Sequence, residues 1–394
     1  MSGSAPLYEP ERLAGALERR GIEALVATRP ANVLYLTRYR KGGRAAALVT
    51  AADPARPVLV VPASDIDFVL EDPQLDCEVR AFGSFFRSSA EGVELEPREA
   101  RVAEIAAEAR ADLGSALELV AELLRRCGAA AGQVALDVPA GPADPSFAGN
   151  GTTGEAGAAL LRELRSVKTS EEQERLAEAA VIAERGISAS VESISAGAFQ
   201  PEIAAAYRTT VTCRQAAVRM DNVSIGRSSA LGNVNQPGDV VAEGSVVRYD
   251  VGAIYAGYES DLSRCFSLGP APERARRYHA ALLEGQRAAL ELLGPGVTCG
   301  ELHAEAVRTV RAAGIPHYER TNVGHGIGIH GDGYDAPLLA PESEVELEPG
   351  MVLCVETPYY ELGFCGLQVE DMVVVRDDGY DPLSRLPGEL RELP

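Results

Sequence analysis

No run of apolar residues in this sequence approaches the roughly 18 that a membrane-spanning helix needs, so no such helix is expected. The opening residues MSGSAPLYEPERL lack a basic stretch followed by an apolar core. No secretory signal is therefore expected, and the expected compartment is the cytoplasm. Paired cysteines are missing too. The seven (Cys77, Cys127, Cys213, Cys265, Cys299, Cys354 and Cys365) are odd in number, scattered, and form no CxxC. That argues against a disulfide framework or a zinc knuckle and fits reduced thiols. Positive charge is scarce: 37 Lys and Arg against 58 Asp and Glu leave a formal charge of −21. Such a balance excludes a nucleic-acid backbone or an anionic membrane as the expected partner. No internal repeat is visible.

What is present is a chain of 394 residues with 46% hydrophobic content, enough for two packed domains. Residues 10–20 read as an amphipathic helix with Leu13 and Leu17 on one face, stopped by Gly21. Strands follow at 22–27, 45–50 and 57–62, separated by a turn at 29–32 and an apolar run over 33–39. Helical patterns cover 64–71, 97–112 and 115–126, and 133–138 reads as another strand. This alternation predicts a small α/β domain. Residues 139–157 are rich in glycine, proline and small side chains. Thr169-Ser170-Glu171-Glu172 then forms a capping-box pattern that opens a long helix to about Ser190. Further helices are expected at 200–212, 272–293 and 299–313.

Between the helices expected at 200–212 and 272–293 lies VVRYDVGAIYAGYESDLSRCF, residues 246–266, which reads as a β-hairpin turning at Ala256-Gly257-Tyr258. Asp250 sits on its first strand and Asp261 on its second. Aspartate is a poor strand former, and a buried carboxylate costs several kcal/mol uncompensated, so two at facing positions call for a cation between them. That cation is either a metal or an arginine, with Arg248 and Arg264 as the candidate guanidiniums. Downstream, His325 sits in Gly324-His325-Gly326, Glu356 in VLCVETP and Glu370 in LQVEDMVVV. Period-2 alternation puts Glu356 on the face of Cys354, and Glu370 on the face of Gln368 and Met372. The cysteines that share strand faces with ligand-type residues, Cys354 and Cys265, read as small buried filler. Four carboxylates with one imidazole suit hard or borderline divalent ions and exceed what one ion needs, whereas two bridged ions use them all. A pure ion-pair core leaves His325 and its glycines unexplained.

The ordered set Asp250, Asp261, His325, Glu356, Glu370 resembles that of the pita-bread metallopeptidases: methionine aminopeptidase, prolidase, aminopeptidase P and creatinase relatives. The resemblance implies that Asp250 chelates one ion, that His325 and Glu356 bind the other, and that Asp261 and Glu370 bridge the pair. Residues 29–37, RPANVLYLT, are similar to the N-terminal domain of creatinase and prolidase relatives, which implies a homodimer. Arg165-Ser166-Val167-Lys168 matches the entry to the catalytic domain. The expectation is thus an α/β N-terminal domain over 1–165 and an α+β pita-bread catalytic domain over 166–394. The cofactors implied are two divalent ions, with manganese ahead of cobalt, zinc and iron.

In that family's mechanism, hydroxide formed between the ions attacks an amide carbonyl, and Glu356 moves the proton to the leaving nitrogen. Two outer positions depart from the pattern. Asn233 stands where the family has a histidine about seventeen residues before the first Asp. It can donate to an oxyanion but cannot carry a proton. Asp332 stands seven residues after His325, where a second histidine is usual, leaving His330 and Tyr334 as candidates for that role. The expected substrate is a small peptide of the Xaa-Pro type. The alternatives are a small-molecule amide, as in creatinase, ectoine hydrolase or lyase relatives, and a non-catalytic scaffold.

Overall fold

The computed structural model describes residues 6–128, 133–137, 154–331 and 333–394. Most of the 139–157 stretch, Val138 and Asp332 lie outside the described residues. Cα packing divides the chain into two compact units, Met1–Arg165 and Ser166–Pro394.

The first unit contains α1 (Pro10–Arg20), β1 (Ala24–Ala27), α2 (Pro30–Thr37), β2 (Ala46–Thr50), β3 (Asp53–Pro62), β4 (Glu78–Phe82), α3 (Pro97–Ala107), α4 (Ala116–Arg126), β5 (Val134–Leu136) and α5 (Gly154–Ser166). Its sheet runs β4-β3-β2-β1-β5 and is mixed: β1 pairs antiparallel with β2 and parallel with β5. One sequence expectation is corrected here. Residues 29–32, read as a turn ahead of an apolar run, begin helix α2 with Pro30 in its first turn. The buried Asp137 carboxylate accepts hydrogen bonds from the backbone N–H of Thr28 and of Arg29 (2.8 and 3.0 Å) and from Asn32 Nδ2 (3.0 Å). From more than a hundred residues away it fixes the two residues ahead of the helix and sets a carboxylate at the helix N-terminus, which no local pattern reveals.

The second unit begins with α6 (Ser170–Val191), capped by the expected Thr169–Glu172 box, and α7 (Gln200–Thr212). Strands β6 (Ala217–Ile225), β7 (Val246–Tyr255), β8 (Tyr258–Glu259) and β9 (Leu262–Leu268) follow, then helices α8 (Glu273–Leu292) and α9 (Cys299–Ala312). The last third supplies β10 (Gly324–Gly326), β11 (Asp335–Leu338), β12 (Val352–Glu356), β13 (Tyr359–Tyr360), β14 (Gly366–Leu367) and β15 (Glu370–Arg376). The main sheet is ordered β11-β10-β12-β15-β9-β7-β6. Helix α6 packs on α7, and α8 on α9.

Period-2 alternation divides β12 and β15 cleanly. Leu353, Val355, Val373 and Val375 enter the apolar core with Leu282 of α8 and Val310 of α9. Cys354, Glu356, Glu370 and Met372 therefore face the other way. Burying such aliphatic side chains stabilises the unit by about 1.5–3 kcal/mol each, and this holds the polar face in place.

Candidate metal centre

Five neighbouring strands, β10-β12-β15-β9-β7, each contribute one of the five ligand-type residues, counting Asp261, which immediately precedes β9. The register sets them in two transverse rows. In the first, Glu356 pairs with Glu370, Glu370 with Ser263, and Ser263 with Asp250. In the second, His325 pairs with Cys354 and Cys354 with Met372, whose Sδ accepts the N–H of Asp261 at 3.4 Å. Paired residues of a ladder share a face, so all five side chains converge. The hairpin expectation needs one correction: Asp250 opposes Ser263, and Asp261 lies one diagonal step away rather than directly across.

Glycine is what lets His325 into this array. Gly324 has φ of 144°, and a Cβ there would lie 2.0 Å from the carbonyl oxygen of Cys354. Only a residue without a side chain allows β10 this close to β12.

The oxygens of Asp250, Asp261 and Glu370 gather within 4.8 Å, as do His325, Cys354 and Glu370. Among the described residues three arginines reach the carboxylates. Arg248, fully buried, donates from Nη1 to Asp250 (3.1 Å) and to Gln368 Oε1 (2.7 Å). Arg219 of β6 donates from Nη1 to Asp261 Oδ2 (2.7 Å) and from Nε to Glu259 (3.1 Å). Arg320 approaches Glu356 at 3.7 Å. The sequence alternatives of metal or arginine are therefore not exclusive. Arg248 takes the position anticipated for it, whereas Arg264 pairs with Asp371 and not with a ligand.

The arginines leave the cluster undercompensated. Asp261 Oδ1 is buried with no hydrogen-bond partner among the described residues. Burial, reinforced by the other carboxylates, pushes both Asp261 and Glu370 well above the usual carboxylate range. His325 goes the other way: burial holds it at about 4, so its ring is neutral. Its Nδ1 donates to the Gly326 carbonyl at 3.0 Å, which leaves Nε2 as a bare acceptor. That lone pair faces Asp261 Oδ2 at 3.7 Å and Glu370 Oε1 at 3.9 Å. Acceptors confronting one another in this way must share either a proton, which the raised Asp261 and Glu370 would hold, or a cation. The donor set, one imidazole and several carboxylates, fits a divalent metal. Cys354, read as filler, lies against this cluster, but burial pushes its thiol well above the ordinary value and keeps it protonated.

The outer candidates are placed as follows. Tyr334 stacks on His325 with ring centroids 3.6 Å apart, and its phenol is pushed up to about 12, first by burial and then by the nearby carboxylates. His330, half-exposed, bonds through Nδ1 to Glu259 at 2.8 Å, and Glu259 also binds Arg219. Asn233 is exposed and makes no side-chain hydrogen bond to the five among the described residues, although its neighbour Gly232 accepts from Arg248 through its carbonyl. Sequence reasoning missed Arg219, Arg320, Glu259 and Tyr360. Their only signal was charge or a hydroxyl on segments that carry no motif of their own.

A family model described as Metallopeptidase family M24 matches residues 174–377, and one for the Creatinase/Prolidase N-terminal domain matches residues 11–130. The chain is 29% identical over 233 residues to an Xaa-Pro dipeptidase of Pyrococcus furiosus, covering 59% of this chain and 66% of that relative. It is 30% identical over 237 residues to a probable dipeptidase PepE of Mycobacterium tuberculosis, covering 60% of this chain and 63% of the relative. These alignments span just under two thirds of either relative's length. Among solved structures, a dipeptidase from Pyrococcus horikoshii superposes with a TM-score of 0.77 at 22% identity over 98% of this chain and 99% of the other. An X-Pro aminopeptidase from Thermotoga maritima gives 0.77 at 23% identity over the same shares.

Proposed function

The chain belongs to metallopeptidase family M24, and from that premise we propose that it is a divalent-metal-dependent peptidase cleaving the amide bond of short Xaa-Pro peptides. Its fold is the family's two-domain one, a creatinase/prolidase N-terminal domain with a pita-bread catalytic domain. The observation that carries the functional reading is the bare Nε2 of His325 facing Asp261 and Glu370 across less than 4 Å.

In this reading Asp250, Asp261, His325, Glu356 and Glu370 would together hold two divalent ions, as the family resemblance implies. Manganese is the first candidate. Such ions supply Lewis acidity to the scissile carbonyl and lower the pKa of a water into the neutral range. The chain's own groups do the rest. With no ion beside it, burial raises the Glu356 carboxyl to about 7, so this group needs a cation to stand ionised at neutral pH. Its orientation is fixed by Gln368, whose Nε2 donates to Glu356 Oε2 at 3.1 Å. The amide of Gln368 is itself held the right way round, because its Oε1 accepts from Arg248 (2.7 Å) and from the Tyr360 hydroxyl (3.1 Å). Glu356 accepts the proton of the attacking water and delivers it to the leaving nitrogen. Tyr334, protonated at working pH, walls the imidazole and is a candidate donor to substrate.

A second reading keeps the centre and changes the substrate to a small non-peptide amide. Asn233 favours it, being an exposed group that cannot carry a proton. We place the protein in the cytoplasm as a homodimer. The test is a panel of Xaa-Pro dipeptides with the purified protein under manganese, cobalt, zinc and iron, together with metal content by mass spectrometry. Turnover that disappears with bound metal in His325→Ala supports the peptidase. Stoichiometric metal with no turnover of any peptide favours the second reading, and a metal-free protein rejects both.

A further inference from the structure

The five ligand-type residues do not exhaust the donors at the centre. Cys354 of β12 is fully buried, and the donor atoms of His325, Cys354 and Glu370 all lie within 4.8 Å of one another. Donors on opposite sides of one ion, at about 2.1 Å for nitrogen or oxygen and about 2.3 Å for sulfur, stand roughly 4.4 Å apart. A single ion can therefore reach all three. The ladder explains the placement: His325 pairs directly with Cys354, so the two share a face.

A buried thiol is ordinarily packing filler, and Cys265 is one. It belongs to the apolar core, and its thiol donates to the Gln368 carbonyl at 3.4 Å. Cys354 differs, because it faces away from that core. The one hydrogen-bond contact of its thiol among the described residues is with the Asp261 carbonyl, at 3.9 Å. Two buried acceptors stand nearby without a donor: His325 Nε2, whose ring proton sits on the other nitrogen, and Asp261 Oδ1, which has no hydrogen-bond partner among the described residues. Met372, next in the same row, is not a rival, since its sulfur is engaged by the Asp261 N–H at 3.4 Å.

The centre thus divides into two groups of different chemistry. Asp250, Asp261 and Glu370 offer oxygen alone, and Arg248 and Arg219 already bring positive charge to the two aspartates. His325, Cys354 and Glu370 mix imidazole, sulfur and oxygen, and among the described residues no arginine forms an ion pair with any of them. Carboxylate oxygen suits manganese or magnesium, whereas thiolate and imidazole favour zinc.

We infer that Cys354 is a sixth ligand of the centre, binding as a thiolate to the ion at His325 and Glu370 and biasing that pocket toward zinc, with the all-oxygen group left to a harder ion such as manganese. This rests on the metal-centre reading and adds to it a donor and an asymmetry. While no ion is bound, the buried thiol keeps its proton. Forming the metal–sulfur bond releases that proton to solvent, because a coordinating thiol is deprotonated outright.

The experiment loads the purified full chain with zinc, cobalt or manganese and compares wild type with Cys354→Ser, Cys354→Ala and Cys265→Ser. X-ray absorption at the zinc edge, on wild type with one equivalent of zinc, should show a sulfur neighbour at about 2.3 Å. Cobalt should give a sulfur-to-cobalt charge-transfer band in the near ultraviolet that saturates at one equivalent. Both Cys354 variants should lose the band, and Cys265→Ser should keep it. Zinc affinity should fall in Cys354→Ser by at least the roughly 10- to 100-fold that loss of a ligand's hydrogen-bonding partner costs, while manganese affinity stays close to wild type. Zinc with only nitrogen and oxygen neighbours overturns the thiolate ligand and leaves the metal centre standing. So does a charge-transfer band that survives at full strength in Cys354→Ser. A wild type that binds none of the three metals overturns the centre itself, and the peptidase reading with it.

Discussion

Glu370→Gln isolates the electrostatics of the centre, because Glu370 is the one of the four carboxylates with no arginine salt bridge among the described residues. Without metal, its carboxylate lies within 4.8 Å of those of Asp250 and Asp261. At an effective dielectric of about 20, one such pair repels by roughly 3 kcal/mol. The apo protein meets that cost either as repulsion or as forced proton uptake. Bound ions reverse the sign. At a free concentration 100-fold above Kd they add about 2.7 kcal/mol. For a catalytic unit of this size that corresponds to roughly 5–11 °C in Tm, at about 2–4 °C per kcal/mol.

The glutamine is nearly isosteric, removes one negative charge, and cannot bridge two cations as a carboxylate does. In EDTA the variant should therefore melt at or above wild type. With saturating manganese, cobalt or zinc it should melt below it. Differential scanning calorimetry with and without metal reads this crossing directly. A variant that keeps the full metal-induced shift, or a wild type that shows no shift with any of the ions, would refute the assignment of Glu370 to a metal centre.

Two further outcomes concern the scaffold. Burial holds the Glu172 carboxyl at about 7 against an ordinary 4.5, so the folded state binds its proton more tightly than the unfolded chain. Its contribution to stability is complete below pH 4.5 and is lost as pH climbs through 7, a difference of about 3 kcal/mol at 1.36 kcal/mol per unit. Glu172→Gln abolishes that slope, so urea titrations from pH 4.5 to 8 should show the variant gaining on wild type, and parallel profiles would contradict this. Gly324→Ala should cost roughly 3 kcal/mol or more, because it combines a strained backbone conformation with overpacking against β12. A thermal melt showing a loss under about 1 kcal/mol would mean β10 can retreat from β12.

Much of this molecule was legible in its residues. Carboxylates in strands that otherwise read as apolar signal a compensating cation, because burying them alone is unfavourable, and Asp250, Asp261, Glu356 and Glu370 are spaced far enough apart to need a fold to gather them. The capping box at Thr169–Glu172 and the period-2 faces of β12 and β15 are local properties, so they were readable as written. Helix α2 was not, because the carboxylate that fixes the residues ahead of it, Asp137, arrives from just beyond β5.

Register and charge compensation were decided only in three dimensions. Which of Arg248, Arg264, Arg219 and Arg320 meets a ligand depends on strand order β12-β15-β9-β7-β6, and an arginine's position in the sequence says nothing about its neighbour across a ladder. The same holds for a cavity beside Glu356, where Tyr318 and Arg320 from the segment before β10 meet residues around β13. Ligand chemistry is written in residue types, whereas the partner of each charge is a property of the packed chain.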